Sequence, residues 1–420
     1  MTIGKYSGWR VLAGLCVIMM LTTGLLAYGT SVLNTRMVAD WGLDRKSLGI
    51  AVSAYSLCMA VFSPIAGFLI HRWGARRVLL FGLAALVLAA SAMATVVHSL
   101  WQAAVFYGAV MGFGSALAGT IPVKTVVSYW FRKRLALAMT VTSIGTNVGG
   151  AIAAPLLAQV VATSAAGWRA GWWVVVGALV VSILVACFLV HDQPADVGEV
   201  IDAGEASSAD SAAAILVPKL YKTNQEWEFA ALMRRPATWW MLIAIGASSS
   251  AQVIVVVHGV AHFMDLGHTA QVAASTLGTM LAAQTVSRVI YAGVGDYIEP
   301  RYIWGGSLVL AAVGLLIALE ATSTFRLIAS AILIGLGVAP SILCFSAMAV
   351  NYFGRAPFSR FMGVAVLVQT GLSSAVAVLA GTSFDLTGSY AVIFYVFAAL
   401  MALLGVVMPW ARPPALAIRP

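Results

Sequence analysis

The sequence predicts an all-α membrane protein of twelve transmembrane helices arranged as two pseudo-symmetric six-helix bundles. Three observations lead there. Of 420 residues, 61% are hydrophobic and only 9% charged, more apolar surface than a water-soluble core of this size can hide. Apolar runs of about 20 residues, the length that crosses a bilayer, recur twelve times. The two sets of six also repeat one another.

Taken in order, the spans fall near 9–34, 48–70, 78–97, 100–128, 135–160 and 171–190, then 237–259, 271–294, 303–320, 325–350, 359–383 and 389–410. They divide the chain into an N-terminal bundle over 1–190, a linker over 191–236 and a C-terminal bundle over 237–420. The linker is rich in Ala and Ser and carries Asp192, Asp196, Glu199, Asp202, Glu205 and Asp210. It is expected outside the bilayer, with a short amphipathic helix around Trp227 to Met233 lying at the interface. The basic residues Lys5 and Arg10 precede an apolar run that is too long for a signal peptide and is one of many, so it reads as the first span.

An even number of spans puts both termini on one side. The loops and termini of that side carry 17 Lys and Arg; the opposite side carries Arg36, Arg45, Lys46, Arg169 and Arg326. By the positive-inside rule the termini and linker are cytoplasmic, in a multi-pass protein of the inner, or plasma, membrane. Because the basic residues punctuate apolar runs rather than cover one face, the net charge of +9 speaks for topology and against nucleic acid. Cys16, Cys58, Cys187 and Cys344 lie inside apolar runs without metal-ligand spacing, so they read as core packing, and neither a metal nor a cofactor is expected. A monomer is expected.

The repeat is visible residue by residue. Gly112-Phe113-Gly114 answers Gly335-Leu336-Gly337, Trp130-Phe131 answers Tyr352-Phe353, and the loop at His71 answers that at Asp296. A six-helix duplication of this kind is a signature of secondary transporters. The segment Gly67-Phe68-Leu69-Ile70-His71-Arg72-Trp73-Gly74-Ala75-Arg76-Arg77 resembles the GxLaDrxGrr loop motif of the major facilitator superfamily, with His71 standing where the family has Asp. A second copy, Asp296 to Arg301, keeps the acid and one arginine. The resemblance implies the major facilitator fold and a gating role for these loops.

Within that superfamily, Trp130-Phe131-Arg132-Lys133-Arg134 followed by Leu137-Ala138 resembles the YFxKRxxLA segment of monocarboxylate transporters and oxalate/formate antiporters. Gly167-Trp168-Arg169 and a lone arginine in the eighth span point the same way. Where proton-coupled members carry an Asp one turn before that arginine, this chain has Gln284. The first span, at Tyr28, lacks their lysine, and the eleventh has Gln369 where oxalate antiporters have a lysine.

Two cations, Lys124 and Arg288, lie inside apolar spans, where a charge costs at least a few kcal/mol unless it meets a partner or a polar cavity. Each sits eight residues from a loop, at Arg132 and Asp296, hence roughly 12 Å deep. No Asp or Glu lies deep in a span, so an anionic substrate is the natural partner for Arg288. For Lys124 the readings of substrate anchor and snorkelling lysine both stand. Neither charge recurs in the sister half, where Ser346 and Ser63 stand, which speaks against fold maintenance. Gln284 and Tyr291 share the helical stripe of Arg288, Thr120 and Ser128 that of Lys124, and Pro122 invites a bend. Tyr28, Gln252, His258 and Gln369 complete the residues expected to line a cavity. Glycines at 108, 112, 145, 149, 363, 371 and 381 are expected to let helices approach closely.

The function expected is alternating-access transport of a small organic anion, a monocarboxylate, bound by the Arg288 fork. Exchange of dicarboxylates or other anions is the alternative, and efflux of a drug or metabolite a weaker one because such pumps need a buried acid. Protons or a counter-anion are the possible coupling partners, with His258 and His262, at i and i+4, the candidates to titrate. An enzyme is not expected, since no nucleophile, base or metal cluster assembles.

Overall fold

The computed structural model describes residues 7–41, 45–200, 220–223 and 226–413, and no strand occurs among them. Helices occupy all twelve expected segments. Span 1 runs through Gly8–Met19, a π-helical stretch Met20–Gly29 and Thr30–Asp40. Spans 2 and 3 are Arg45–Trp73 and Ala75–Thr95. Span 4 is interrupted twice: Leu100–Ala103, a π-helical Ala104–Val110, Met111–Ala118 and, after Gly119, Thr120–Trp130. Spans 5 and 6 are Leu135–Thr163 and Trp168–Leu189. Spans 7 to 9 are Pro236–Asp265, Ala270–Val294 and Pro300–Leu319. Span 10 is broken into Thr324–Val338 and Ser341–Phe353, and Phe358–Thr387 and Ala391–Val407 complete the set.

Among the described residues, 11 helices are long and apolar enough to cross a membrane. The twelfth, Ala270–Val294, is a continuous helix of 25 residues. Two glutamines, Arg288 and several Ser and Thr dilute its hydropathy.

The chain packs as two compact units, Met1–Ala209 with Phe358–Leu367, and Asp210–Pro357 with Val368–Pro420. In the first unit, spans 1 and 5 touch backbone to backbone. A Cβ on Gly149 would lie 2.2 Å from the Met20 carbonyl oxygen, and one on Gly145 2.6 Å from that of Cys16. The widened turn of span 1 begins at this crossing. Thr22 and Thr30 donate to the carbonyls of Ile18 and Leu26 at 2.7 and 2.6 Å, and such back-bonding competes with the α-helical ladder. Gly112 and Gly363 are likewise pressed against backbone, whereas Gly371 and Gly381 face open space, contrary to expectation.

Loop aromatics pin the ends of the spans. Trp130 and Phe131 are buried; the indole of Trp130 donates to the His191 carbonyl at 2.9 Å, and Phe131 meets Trp9 edge-on at 5.3 Å. At Gly167, with φ 56°, the chain turns so that Arg169 covers the Trp168 ring at 4.2 Å and donates to the Val97 carbonyl. In the second unit the helix before span 7 is only Phe229–Met233. Trp227 precedes that helix and is buried against Phe353 at 5.8 Å under Arg235 at 5.0 Å. An aromatic edge and a cation both suit the indole face.

Candidate functional site

The second unit holds the polar stripe of span 8. Arg288 is half-buried. Gln284, one turn before it, is 2% exposed, and its amide nitrogen has no hydrogen-bond partner among the described residues. Tyr291, one turn after, is 1% exposed and lies beside Cys344 of span 10. The face carrying Gln284 and Tyr291 is the one that packs on span 10: a Cβ on Gly335 would sit 2.4 Å from the Met280 carbonyl, and Ser287 donates to the Leu336 carbonyl at 2.9 Å. Arg288 stands on the flank of that packed face. A guanidinium is thus held on a rigid helix whose other polar members in the stripe are neutral.

Lys124 is 1% exposed. Its ammonium donates to the Met139 carbonyl, to Thr142 Oγ1 at 3.0 Å and to Ser143 Oγ at 2.8 Å, so it ties the second half of span 4 to span 5. A lysine with three oxygen acceptors needs neither water nor the interface. Ser128 likewise turns inward and donates to the Thr125 carbonyl.

Four residues before Lys124, the first unit holds a cavity of ≈ 190 Å³. Span 4 opens onto it at the Gly119 break through Ser115 and Thr120, the widened turn of span 1 contributes Thr22 and Thr23, and span 2 contributes Tyr55 and Ser63. Tyr55 donates to Ser115 Oγ at 3.0 Å and stacks on Tyr107, ring centroids 5.5 Å apart at 24°. No charged residue lines this cavity. Of these residues the sequence pointed only to Thr120; the signal that could have found the rest is the Gly119-Thr120-Ile121-Pro122 break.

The histidines of span 7 are committed to backbone. His258 Nε2 lies 3.0 Å from the Ala377 carbonyl and His262 Nε2 3.2 Å from that of Ala318, so each of these nitrogens carries a proton. Their rings enclose Tyr390, at 5.2 and 6.2 Å. Gln369 is half-buried in span 11. Tyr28 lies on the π-helical stretch, and its side chain is outside the described residues.

The loop motif is held by an acid from elsewhere. His71 is exposed, as are Arg72 and Arg77. Asp192, just past span 6, accepts the Arg76 N–H at 2.7 Å and leaves no room for a Cβ on Gly74, whose φ is 86°. Arg76 donates to the Cys187 carbonyl. Gly67 accepts from Ser359 Oγ at 3.0 Å within the same unit. In the second copy Asp296 is half-buried and Arg301 covers the Tyr302 ring at 4.8 Å.

Residues 12–282 match the profile of the Major Facilitator Superfamily. The chain is 38% identical over 90 residues to the "Uncharacterized transporter ESBP6" of Saccharomyces cerevisiae and 32% identical over 149 residues to the "4-hydroxybenzoate transporter PcaK" of Pseudomonas aeruginosa. These matches take in 21% and 34% of this chain, and the chain spans only 13% and 31% of the two relatives. The fold resembles that of the crystal structure of the transporter FucP in the outward conformation, with a TM-score of 0.76 at 14% identity over 97% of this chain and 100% of that one. A multi-pass membrane protein by its apolar helices, the chain belongs to the major facilitator superfamily.

Proposed function

We propose that the protein carries a small organic anion, a monocarboxylate, by alternating access, with Arg288 as the carboxylate anchor. The observation that carries this reading is the half-buried Arg288 inside a membrane-spanning helix, between a neutral amide and a neutral phenol. A planar fork at that depth suits a carboxylate. The partial likeness to a 4-hydroxybenzoate transporter supports an aromatic acid among the candidates. Lys124 serves as an anchor for a second anionic group only where a substrate displaces acceptors it already holds, which favours one carboxylate over two. The asymmetry of Lys and Arg supports cytoplasmic termini in a plasma membrane.

Uptake of a panel of mono- and dicarboxylates into proteoliposomes, with and without a pH gradient, tests the reading. Arg288→Ala is expected to abolish uptake in a protein that still folds, and Arg288→Lys to weaken it at least tenfold, since the charge remains and the fork is lost. Undiminished carboxylate uptake by Arg288→Ala would overturn the anion site. If Lys124 is an anchor, Lys124→Met hurts dicarboxylates more than monocarboxylates; equal losses return it to tying spans 4 and 5. Proton coupling through His258 and His262 is part of the same proposal, and an unchanged pH dependence in His258→Gln and His262→Gln would remove it in favour of exchange or facilitated diffusion.

A further inference from the structure

We propose that the cavity of the first unit is a binding site for an uncharged, hydroxyl-bearing six-membered ring. This goes beyond the anion reading and rests on different residues.

Size comes first. Roughly 150 Å³ of cavity holds a benzene molecule, so ≈ 190 Å³ admits one ring with a substituent. The walls set the chemistry. Leu26, Met59, Leu86 and Ile121 make the apolar surface, and the stacked pair Tyr55 and Tyr107 backs it with a flat aromatic face. The wall between the cavity's hydroxyls is mostly apolar, which favours a ring over a chain of waters. Without a lining Asp, Glu, Lys or Arg it also offers no compensation for a charge.

The hydroxyls then discriminate between a plain ring and one bearing an OH. Thr22 donates to the Ile18 carbonyl at 2.7 Å and Ser63 to that of Met59 at 2.6 Å, so both protons are committed. Ser115 accepts from Tyr55, yet its own proton has no acceptor among the described residues, and the Thr120 hydroxyl has no partner among them. Two donors without an acceptor among the described residues, from adjoining pieces of a broken helix, face a largely apolar cavity. A ring hydroxyl oxygen, with two lone pairs, can accept from both and so give each proton an acceptor.

The site is tested with 4-fluorophenol, neutral at pH 7, titrated by fluorine NMR against the full chain in lipid nanodiscs, with fluorobenzene as the ring lacking a hydroxyl. Saturable 4-fluorophenol binding is expected, at least tenfold tighter than fluorobenzene. Ser115→Leu should abolish it by filling the space, and Thr120→Val, of the same shape, should weaken it about three- to tenfold, the worth of one hydrogen bond. Thermal unfolding verifies that each variant folds; if Ser115→Leu does not, Thr120→Val decides. Absence of saturable binding, or binding indifferent to Thr120→Val, overturns the proposal. Arg288→Ala should leave 4-fluorophenol binding unchanged. Phenol binding lost with Arg288-dependent uptake intact sinks this site alone, and the converse sinks the anion reading alone.

Discussion

Spans 4 and 10 are broken at related places in the repeat, at Gly119 and at Ala339-Pro340, an offset of 220 to 221 residues, yet the two breaks are finished differently. In the second unit the break is closed. Trp304 Nε1 donates to Ser341 Oγ at 3.1 Å, Ser341 to Ser248 Oγ at 2.8 Å, and Ser248 to the Ala244 carbonyl at 2.8 Å. Every proton has an acceptor, and the large indole fills the space. In the first unit the corresponding chain starts at Tyr55, reaches Ser115 and stops. Discontinuous helices at matching positions of two repeats are where transporters build sites. The difference teaches that a break alone is not a site: a closed donor chain makes it a weld, and an open one leaves room for a ligand.

The largest expected effect is at the weld. Trp304 is wholly buried, so Trp304→Ala should cost about 3–5 kcal/mol and remove most folded protein from the membrane. A thermal midpoint close to wild type would show that the second break is not sealed by this residue. Next come the two hydroxyls that stand at the breaks. Ser341→Ala leaves the buried Trp304 N–H without an acceptor and should cost about 1–3 kcal/mol, whereas Thr120→Val, whose hydroxyl has no partner among the described residues, should stay within about 0.5 kcal/mol. Equal losses in a side-by-side thermal melt would erase the contrast between closed and open.

The smallest effect sharpens the comparison at the loops. In the second unit Glu299 accepts the Tyr221 N–H at 2.8 Å; in the first, Asp192 accepts that of Arg76. Burial pushes the Asp192 carboxyl above its usual 3.8, against the opposing pull of the Arg76 N–H. A carboxyl that holds its proton more tightly folded than unfolded makes the fold lose stability as pH rises through that interval, from about pH 4 upward. Asp192→Asn keeps an acceptor oxygen without the charge, so its thermal midpoint should fall less between about pH 4 and about pH 7 than that of wild type. Parallel pH profiles for the two proteins would remove Asp192 from this role.

The sequence by itself determined the number and place of the spans, their duplication, the resemblance to the major facilitator superfamily and the two intramembrane cations. Hydropathy adds up along the chain, and a charge in an apolar run declares itself without reference to any neighbour. Partners do not. Lys124 reads as an anchor or a snorkelling lysine until span 5 brings Met139, Thr142 and Ser143 to its ammonium. The acid of the first loop is missing at His71 and is supplied 116 residues from Arg76, by Asp192. Thr22, Tyr55 and Ser115 are ordinary polar interruptions of three apolar runs until the Gly119 break and the widened turn of span 1 place them around one cavity. Only the tertiary structure decides which hydroxyls are committed and which are left open, because a hydrogen bond depends on an acceptor within about 3 Å, and the chain brings that acceptor from another span.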